Sequence, residues 1–339
     1  MAVQDIAYVE LFASDAVPAV DYFVSALGFT RVADSVEIDR SSILLGQGDV
    51  RLVVTSGRGI WKFLDNHGDG IADIAFTCDD PEAAGRQAVA AGAEPVTSPR
   101  GDIVTSGFGA VTHTLLPAAG TSADGLPDGR RWIPNPVVPA GAPSRIRLLD
   151  HIAVCLEGGT LQECADFYRD AFGFSRYSSE YVAVGGQAMD SVVVRSASDR
   201  VTFTLVAPDP AKEPGQLDAF LERNGGPGAQ HLAFLVDDII STVGEVRGRG
   251  VEFLNTPDAY YDMLAERFDG MAEQIADLRK AQVLADRDEW GHLLQLFTRS
   301  PYERNTLFFE LIQRQGSRGF GSANIRALYE AVERDRLSS

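Results

Sequence analysis

Residues 73–99, DIAFTCDDPEAAGRQAVAAGAEPVTSP, lie without a gap over residues 231–257, HLAFLVDDIISTVGEVRGRGVEFLNTP, and this internal repeat constrains the fold more than any other feature of the chain. Asp79 meets Asp237, Gly92 meets Gly250, Glu94 meets Glu252 and Pro99 meets Pro257. Upstream, YFVSALGF at 22–29 matches FYRDAFGF at 167–174, each after a strand-like run, IAYVELF or LLDHIAV. Downstream, GAVTHTLL at 109–116 is laid over GHLLQLFT at 291–298, which makes His113 the twin of Gln295. The chain therefore reads as a duplicated fold.

Within each half the periodicities give a βαβββ order, run about twice. A short apolar strand leads into a helix ending near Gly, then come alternating strands, an apolar run ending in Asp-Asp, a second amphipathic helix and a final strand. The reading is α+β, with paired βαβββ modules in two domains, 1–145 and 146–339. The stretch GLPDGRRWIPNPVVPAGAPSR (125–145) is too rich in Gly and Pro for a regular element and serves as linker. The second half carries an insertion at 259–286, where Met263, Leu264, Phe268, Met271, Ile275 and Leu278 follow a helical period, and a closing helix at 322–336.

Composition removes several function classes. With 339 residues, 45% of them apolar, the chain is long enough for two ordinary domains. Its 48 acidic against 30 basic residues give a net charge of -18, which disfavours nucleic acid and anionic membranes as partners. No basic leader precedes an apolar core, and no apolar run approaches the roughly 18 residues of a membrane span, so a cytoplasmic location is expected. Cys78, Cys155 and Cys164 show no CxxC spacing and are expected as free thiols. Neither a GxGxxG, a GxxxxGK[ST] nor an HExxH arrangement has the right flanks.

The two halves differ where chemistry would sit. His151 in LLDHIAV corresponds to Tyr8, and His231 in AQHLAFLV corresponds to Asp73, so both histidines belong to the second half only. Two neutral imidazoles and one carboxylate make a transition-metal site with open positions. The carboxylate candidate is Glu310 in NTLFFELIQRQG, since a charge inside an apolar strand is costly unless it is paired or metal-bound. His67, His113 and His292 lack such partners and read as structural or exposed.

The modules, this residue set and the motifs GAQHLAF, GVEFLNTPDAYYDML, LLQLFT, FFELIQRQG and GFGSANIRALYEAVE resemble the vicinal oxygen chelate superfamily, and within it the 4-hydroxyphenylpyruvate dioxygenase family. The likeness is specific over the second half and looser over residues 1–145. It implies two open β-barrel-like domains, with His151, His231 and Glu310 as Fe(II) ligands, an aromatic alpha-keto acid and O2 as reactants, and a homo-oligomer, a dimer being favoured. It also implies a substrate pocket of Ser191, Thr204, Val206, Gln216, Gln230, Gln295, Phe297, Phe308, Phe320, Asn324, Ile325 and Leu328.

The family contains two activities on one substrate. Ring hydroxylation with side-chain migration gives homogentisate, and benzylic hydroxylation gives 4-hydroxymandelate. Homogentisate-forming enzymes typically carry Pro-Ile-Asn where this chain has Thr204, Leu205 and Val206, and usually a Phe where it has Ile325. Both departures resemble the benzylic branch, because an apolar valine replaces an amide able to hold the phenol and an aromatic wall is lost. Alternatives at this stage are the homogentisate-forming reaction, extradiol cleavage of a catechol by the same ligands, and a metal-free binding protein on the same fold.

Overall fold

The computed structural model describes residues 3–98, 100–118, 126–135, 144–268, 272–324 and 326. Seventeen strands occur among them. The first half gives β1 (Val3–Phe12), β2 (Thr30–Val36), β3 (Arg40–Gln47), β4 (Val50–Gly57), β5 (Gly70–Cys78), β6 (Pro95–Val96), β7 (Ile103–Ser106), β8 (Thr112–Pro117) and β9 (Ile133–Pro134). The second gives β10 (Ile146–Cys155), β11 (Ser175–Val184), β12 (Gln187–Arg195), β13 (Thr202–Pro208), β14 (Gly228–Val236), β15 (Leu284–Arg287), β16 (His292–Phe297) and β17 (Phe308–Gln315).

They form two sheets, in the orders β6-β7-β8-β5-β1-β4-β3-β2-β9 and β11-β12-β13-β10-β14-β17-β16-β15. Leaving out β9, the second order is the first read backwards and renumbered. In each sheet the two module-opening strands pair antiparallel at the centre (β1 with β5, β10 with β14), and each pairs parallel with the last strand of its own module. A parallel return needs a crossover, which the helices Pro81–Ala90, Leu161–Phe172 and Ile239–Gly248 provide. Asp80 and Asp238, the second residues of the two Asp-Asp pairs, cap matching helices by accepting from Ala83 N and Ser241 N. Each sheet curls into an open half-barrel.

One pairing read from the sequence needs correction. Asp73 faces Thr112 across β5 and β8, and His231 faces Phe308 across β14 and β17, so β8 is the twin of β17 and not of β16. GAVTHTLL therefore lies over residues 305–312, His113 is the twin of Phe309, and the twin of Glu310 is Thr114. The insertion misled the alignment because it lengthens the path from the second helix to the last strands; it folds as two helices, Asp258–Arg267 and Ala272–Ala281, that bury Leu264, Phe268, Ile275 and Leu278. Met271 lies outside the described residues, as does most of the expected 322–336 helix.

The linker is not idle either. Ile133 and Pro134 pair with Asp34 and Ala33 of β2, while Leu126 and Trp132 pack with Tyr8, Leu44 and Val53 inside the first half-barrel. Pro is compatible with this position because β9 is an edge strand. The outer faces of the two sheets share one apolar core, with Phe309 stacked on Tyr22 at 5.8 Å and edge-on to Phe23 at 5.3 Å. His113 and His67 are structural, in line with the reading from the sequence, and each has a hydrogen-bond partner. His113 Nε2 meets Tyr168 Oη at 2.8 Å, and His67 Nδ1 meets the Asn224 carbonyl at 2.6 Å, both across the halves. Burial holds the His113 imidazole down to about 4, hence neutral. Cys78, Cys155 and Cys164 are free thiols.

Candidate metal centre

Strand register brings the sequence-distant residues onto one sheet face. His151 of β10 faces Ala233 of β14, which faces Glu310 of β17, which faces Phe297 of β16. One row on, Val193, Thr204, Ala153, His231 and Phe308 are successive partners across β12, β13, β10, β14 and β17. Register partners project to the same side, and so do residues two apart on a strand. The concave face of the second half-barrel thus presents His151, His231 and Glu310 together with Ser191, Thr204, Val206, Gln295, Phe297 and Phe308.

The three candidate ligands meet closely. Nε2 of His151 and Nε2 of His231 each lie 3.3 Å from Oε2 of Glu310, and the ligand atoms of the three fall within 4.8 Å of one another. Glu310 is buried, which by itself would raise its pKa, but hydrogen bonds from both imidazoles outweigh that and hold it below the usual carboxylate range. Burial dominates at His231 and lowers its pKa. At His151 burial also acts downward, yet hydrogen bonds to Asp150 and Glu310 raise it to about 9. An acid held ionised between two imidazole nitrogens, with no other cation at its oxygens among the described contacts, fits a divalent metal bound through two nitrogens and one oxygen.

Aromatic rings surround the centre. Phe308 lies 5.0 Å from His231, Phe297 lies 5.8 Å from it edge-on, and Phe320 stands edge-on to His151 at 5.2 Å. Gln295 is buried with Oε1 unpartnered, and Gly321 (φ +76) presses its backbone against that amide so closely that an added Cβ would fall 1.9 Å from Oε1. Asn324 is buried, accepts from Tyr260 Oη at 2.8 Å, and keeps Nδ2 unpartnered. Ser191 Oγ donates to the Glu180 carbonyl at 3.1 Å.

Two residues sit differently from the rest. Gln230 reaches His231 Nδ1 with Oε1 at 3.3 Å, the place of an acceptor that orients a ligand. Gln216 is exposed at the start of the helix Gln216–Asn224 and shares no hydrogen bond with the three candidate ligands. Ile325 and Leu328 lie outside the described residues.

Sequence reasoning missed Asp150 and Arg314. Asp150 occupies a bulge between Leu149 and His151, which turns its carboxylate beside its neighbour's imidazole at 2.9 Å. Arg314 Nε and Nη2 donate to Asp150 at 2.7 Å each. The available signal was period two: Glu310 and Arg314, four apart on β17, share a face.

Comparison with known proteins agrees with this geometry. A family model described as Glyoxalase/Bleomycin resistance protein/Dioxygenase superfamily matches residues 148–296, and one described as Hydroxyphenylpyruvate dioxygenase, HPPD, N-terminal matches residues 1–107. The 4-hydroxyphenylpyruvate dioxygenase of Neurospora crassa is 30% identical, over 97% of this chain and 90% of that relative. The chain belongs to the 4-hydroxyphenylpyruvate dioxygenase family. Another relative of that name, from Pyricularia oryzae, is 32% identical over 87% of this chain and 80% of its own length. Among solved structures, a triple mutant of 4-hydroxymandelate synthase from Streptomyces coelicolor superposes with a TM-score of 0.89 at 50% identity, covering 99% of this chain and 100% of that one. Membership in the 4-hydroxyphenylpyruvate dioxygenase family makes the chain an enzyme of the dioxygenase type. No helix among the described residues is long and apolar enough to cross a membrane.

Proposed function

We propose that the protein is a 4-hydroxymandelate synthase, converting 4-hydroxyphenylpyruvate and O2 to 4-hydroxymandelate and CO2. One observation carries the reading: the His151, His231 and Glu310 centre shares its sheet face with Thr204 and Val206, where the homogentisate-forming pattern has Pro and Asn. The 50% identity to a 4-hydroxymandelate synthase supports the same branch. Fe(II) held by the three ligands would supply chelation of the keto acid and activation of O2, which no side chain supplies.

The chain's own residues bind and orient. Gln295 and Asn324, each buried with an unpartnered amide atom, offer polar contacts to the bound acid. Phe297, Phe308 and Phe320 give the aromatic ring edges and faces to pack on. Val206, without an amide, leaves the phenol end unheld, so the ring can tilt and present its benzylic carbon toward the metal centre. Small changes in such a pose decide which atom reacts.

The test is an aerobic incubation of Fe(II)-loaded protein with 4-hydroxyphenylpyruvate, with products separated against both isomeric standards. 4-Hydroxymandelate as the main product supports the proposal. Homogentisate as the main product overturns the branch assignment and leaves the metal centre standing.

A further inference from the structure

We propose that Asp150 and Arg314 are positioning residues for the metal centre, fixing the His151 imidazole and tying it to the Ser317–Phe320 turn. Asp150 faces His151 Nδ1 at 2.9 Å, so that when a cation takes the place of the Nε2 proton, the remaining proton is held at Nδ1 and Nε2 stays aimed at the cation site beside Glu310. A histidine ligand held in this way is fixed in tautomer and ring orientation. Asp150 is in turn fixed by a two-point bond from Arg314, so neither oxygen is free to rotate away.

Arg314 does more than hold Asp150. Its Nη1 donates to the carbonyls of Gly319 at 2.7 Å and Ser317 at 3.3 Å, and its guanidinium lies 5.0 Å from the centre of the Phe320 ring. That ring is edge-on to His151, so a closed circuit runs His151, Asp150, Arg314, Phe320 and back to His151. Asp288 clamps the same turn from the other side, accepting from Ser317 Oγ and from the amides of Arg318 and Gly319. Movement of the imidazole is therefore coupled to the turn that carries the pocket's Phe320. Strand β17 supplies both Glu310 and Arg314, one contacting the cation site directly and the other through Asp150.

This inference rests on the reading of His151 as a metal ligand, and the experiment separates the two. Co(II) is titrated into the metal-free protein and followed by its visible spectrum, for the unaltered chain and for His151→Ala, Asp150→Ala, Asp150→Asn, Arg314→Gln and Arg314→Lys. Circular dichroism and thermal melting check that each is folded. We expect Asp150→Ala to weaken Co(II) binding by about 10- to 100-fold and to change the spectrum at saturation. Asp150→Asn, which keeps an acceptor for Nδ1, restores part of both. Arg314→Gln gives a smaller loss, partly restored in Arg314→Lys. A folded Asp150→Ala or Arg314→Gln with full affinity and an unchanged spectrum overturns the proposal; where either fails to fold, the same result in Asp150→Asn or Arg314→Lys, respectively, overturns it. Co(II) binding to His151→Ala as tight as to the unaltered chain overturns the ligand reading instead. Hydrogen exchange reads the coupling: Co(II) slows exchange of the 317–320 amides in the unaltered chain, and equal slowing in Arg314→Gln removes the turn from the circuit.

Discussion

Glu310 is a buried acid whose oxygen lies between two imidazole nitrogens, and its removal takes away the only formal negative charge the three candidate ligands offer a cation. Glu310→Ala is expected to lose at least about 100-fold in Fe(II) affinity, comparable to or beyond the loss from an outer-sphere partner, read as iron retained after desalting. Val206 is the residue on which the proposed branch assignment turns. Val206→Asn places an amide on the pocket face and is expected to lower turnover and raise the homogentisate share of the product, read by chromatography; an unchanged product ratio would remove Val206 from the branch point. The grouping of the candidate ligands was legible because the repeat supplied an internal control: His151 and His231 stand where the first half has Tyr8 and Asp73. Asp150 and Arg314 were not, because an Asp next to a His on a strand ordinarily points to the opposite face, and only the bulge at Leu149–His151 brings them together.

At the scale of elements, the first half-barrel has a polar centre of its own at the twin position. Arg130, from the linker, pairs with Glu10, donates to Ser42 Oγ at 2.6 Å and sits 5.5 Å over the Tyr8 ring, while Thr55 donates to Glu10 at 2.6 Å. A guanidinium thus neutralises buried acid in the half that lacks counterparts of His151 and His231. Arg130→Ala strands Glu10 and is expected to cost about 3–5 kcal/mol of stability, read by denaturant unfolding. Asp73 lies in the same centre, accepting from Thr112 and Thr114, and burial followed by repulsion from Glu10 raises it to about 7, with Arg130 opposing. Its folded pKa exceeds the ordinary 3.8, so its favourable contribution is complete below that value and is lost as pH rises through about 7. Asp73→Asn removes this loss. Its stability relative to the unaltered chain should rise between pH 5 and 8 by about 3 kcal/mol, each of the two pKa units from pH 5 to about 7 being worth about 1.4; a flat difference would show that Asp73 titrates normally. Tyr8 and Asp73 were marked as the twins of the histidines, but the part of Arg130 was not legible, since Gly and Pro density marks a stretch as irregular in backbone and says nothing about whether one of its side chains is buried.

Across the whole molecule, duplication explains the architecture and its division of labour. Two sheets of the same strand order pack their outer faces into one apolar core, through Phe309 with Tyr22 and Phe23, and Phe234 with Phe29. The concave faces stay separate, one closed around Arg130 and the other presenting His151, His231 and Glu310. Phe309→Ala opens a cavity in the shared core and is expected to cost about 3–5 kcal/mol, with both halves still melting in a single transition by calorimetry; two transitions would mean that the halves are stabilised independently. The βαβββ order was legible from period and turn residues, whereas the correspondence of β8 to β17 was not, because the helical insertion displaces sequence position from sheet position. The most direct test of the asymmetry is a crystal of the protein loaded with Fe(II) and measured at the iron absorption edge. The account predicts one anomalous peak per chain, about 2.0–2.2 Å from Nε2 of His151, Nε2 of His231 and an oxygen of Glu310, taking the bond lengths usual for such ligands. A peak in the first half-barrel, or one elsewhere with the three residues uncoordinated, would contradict it.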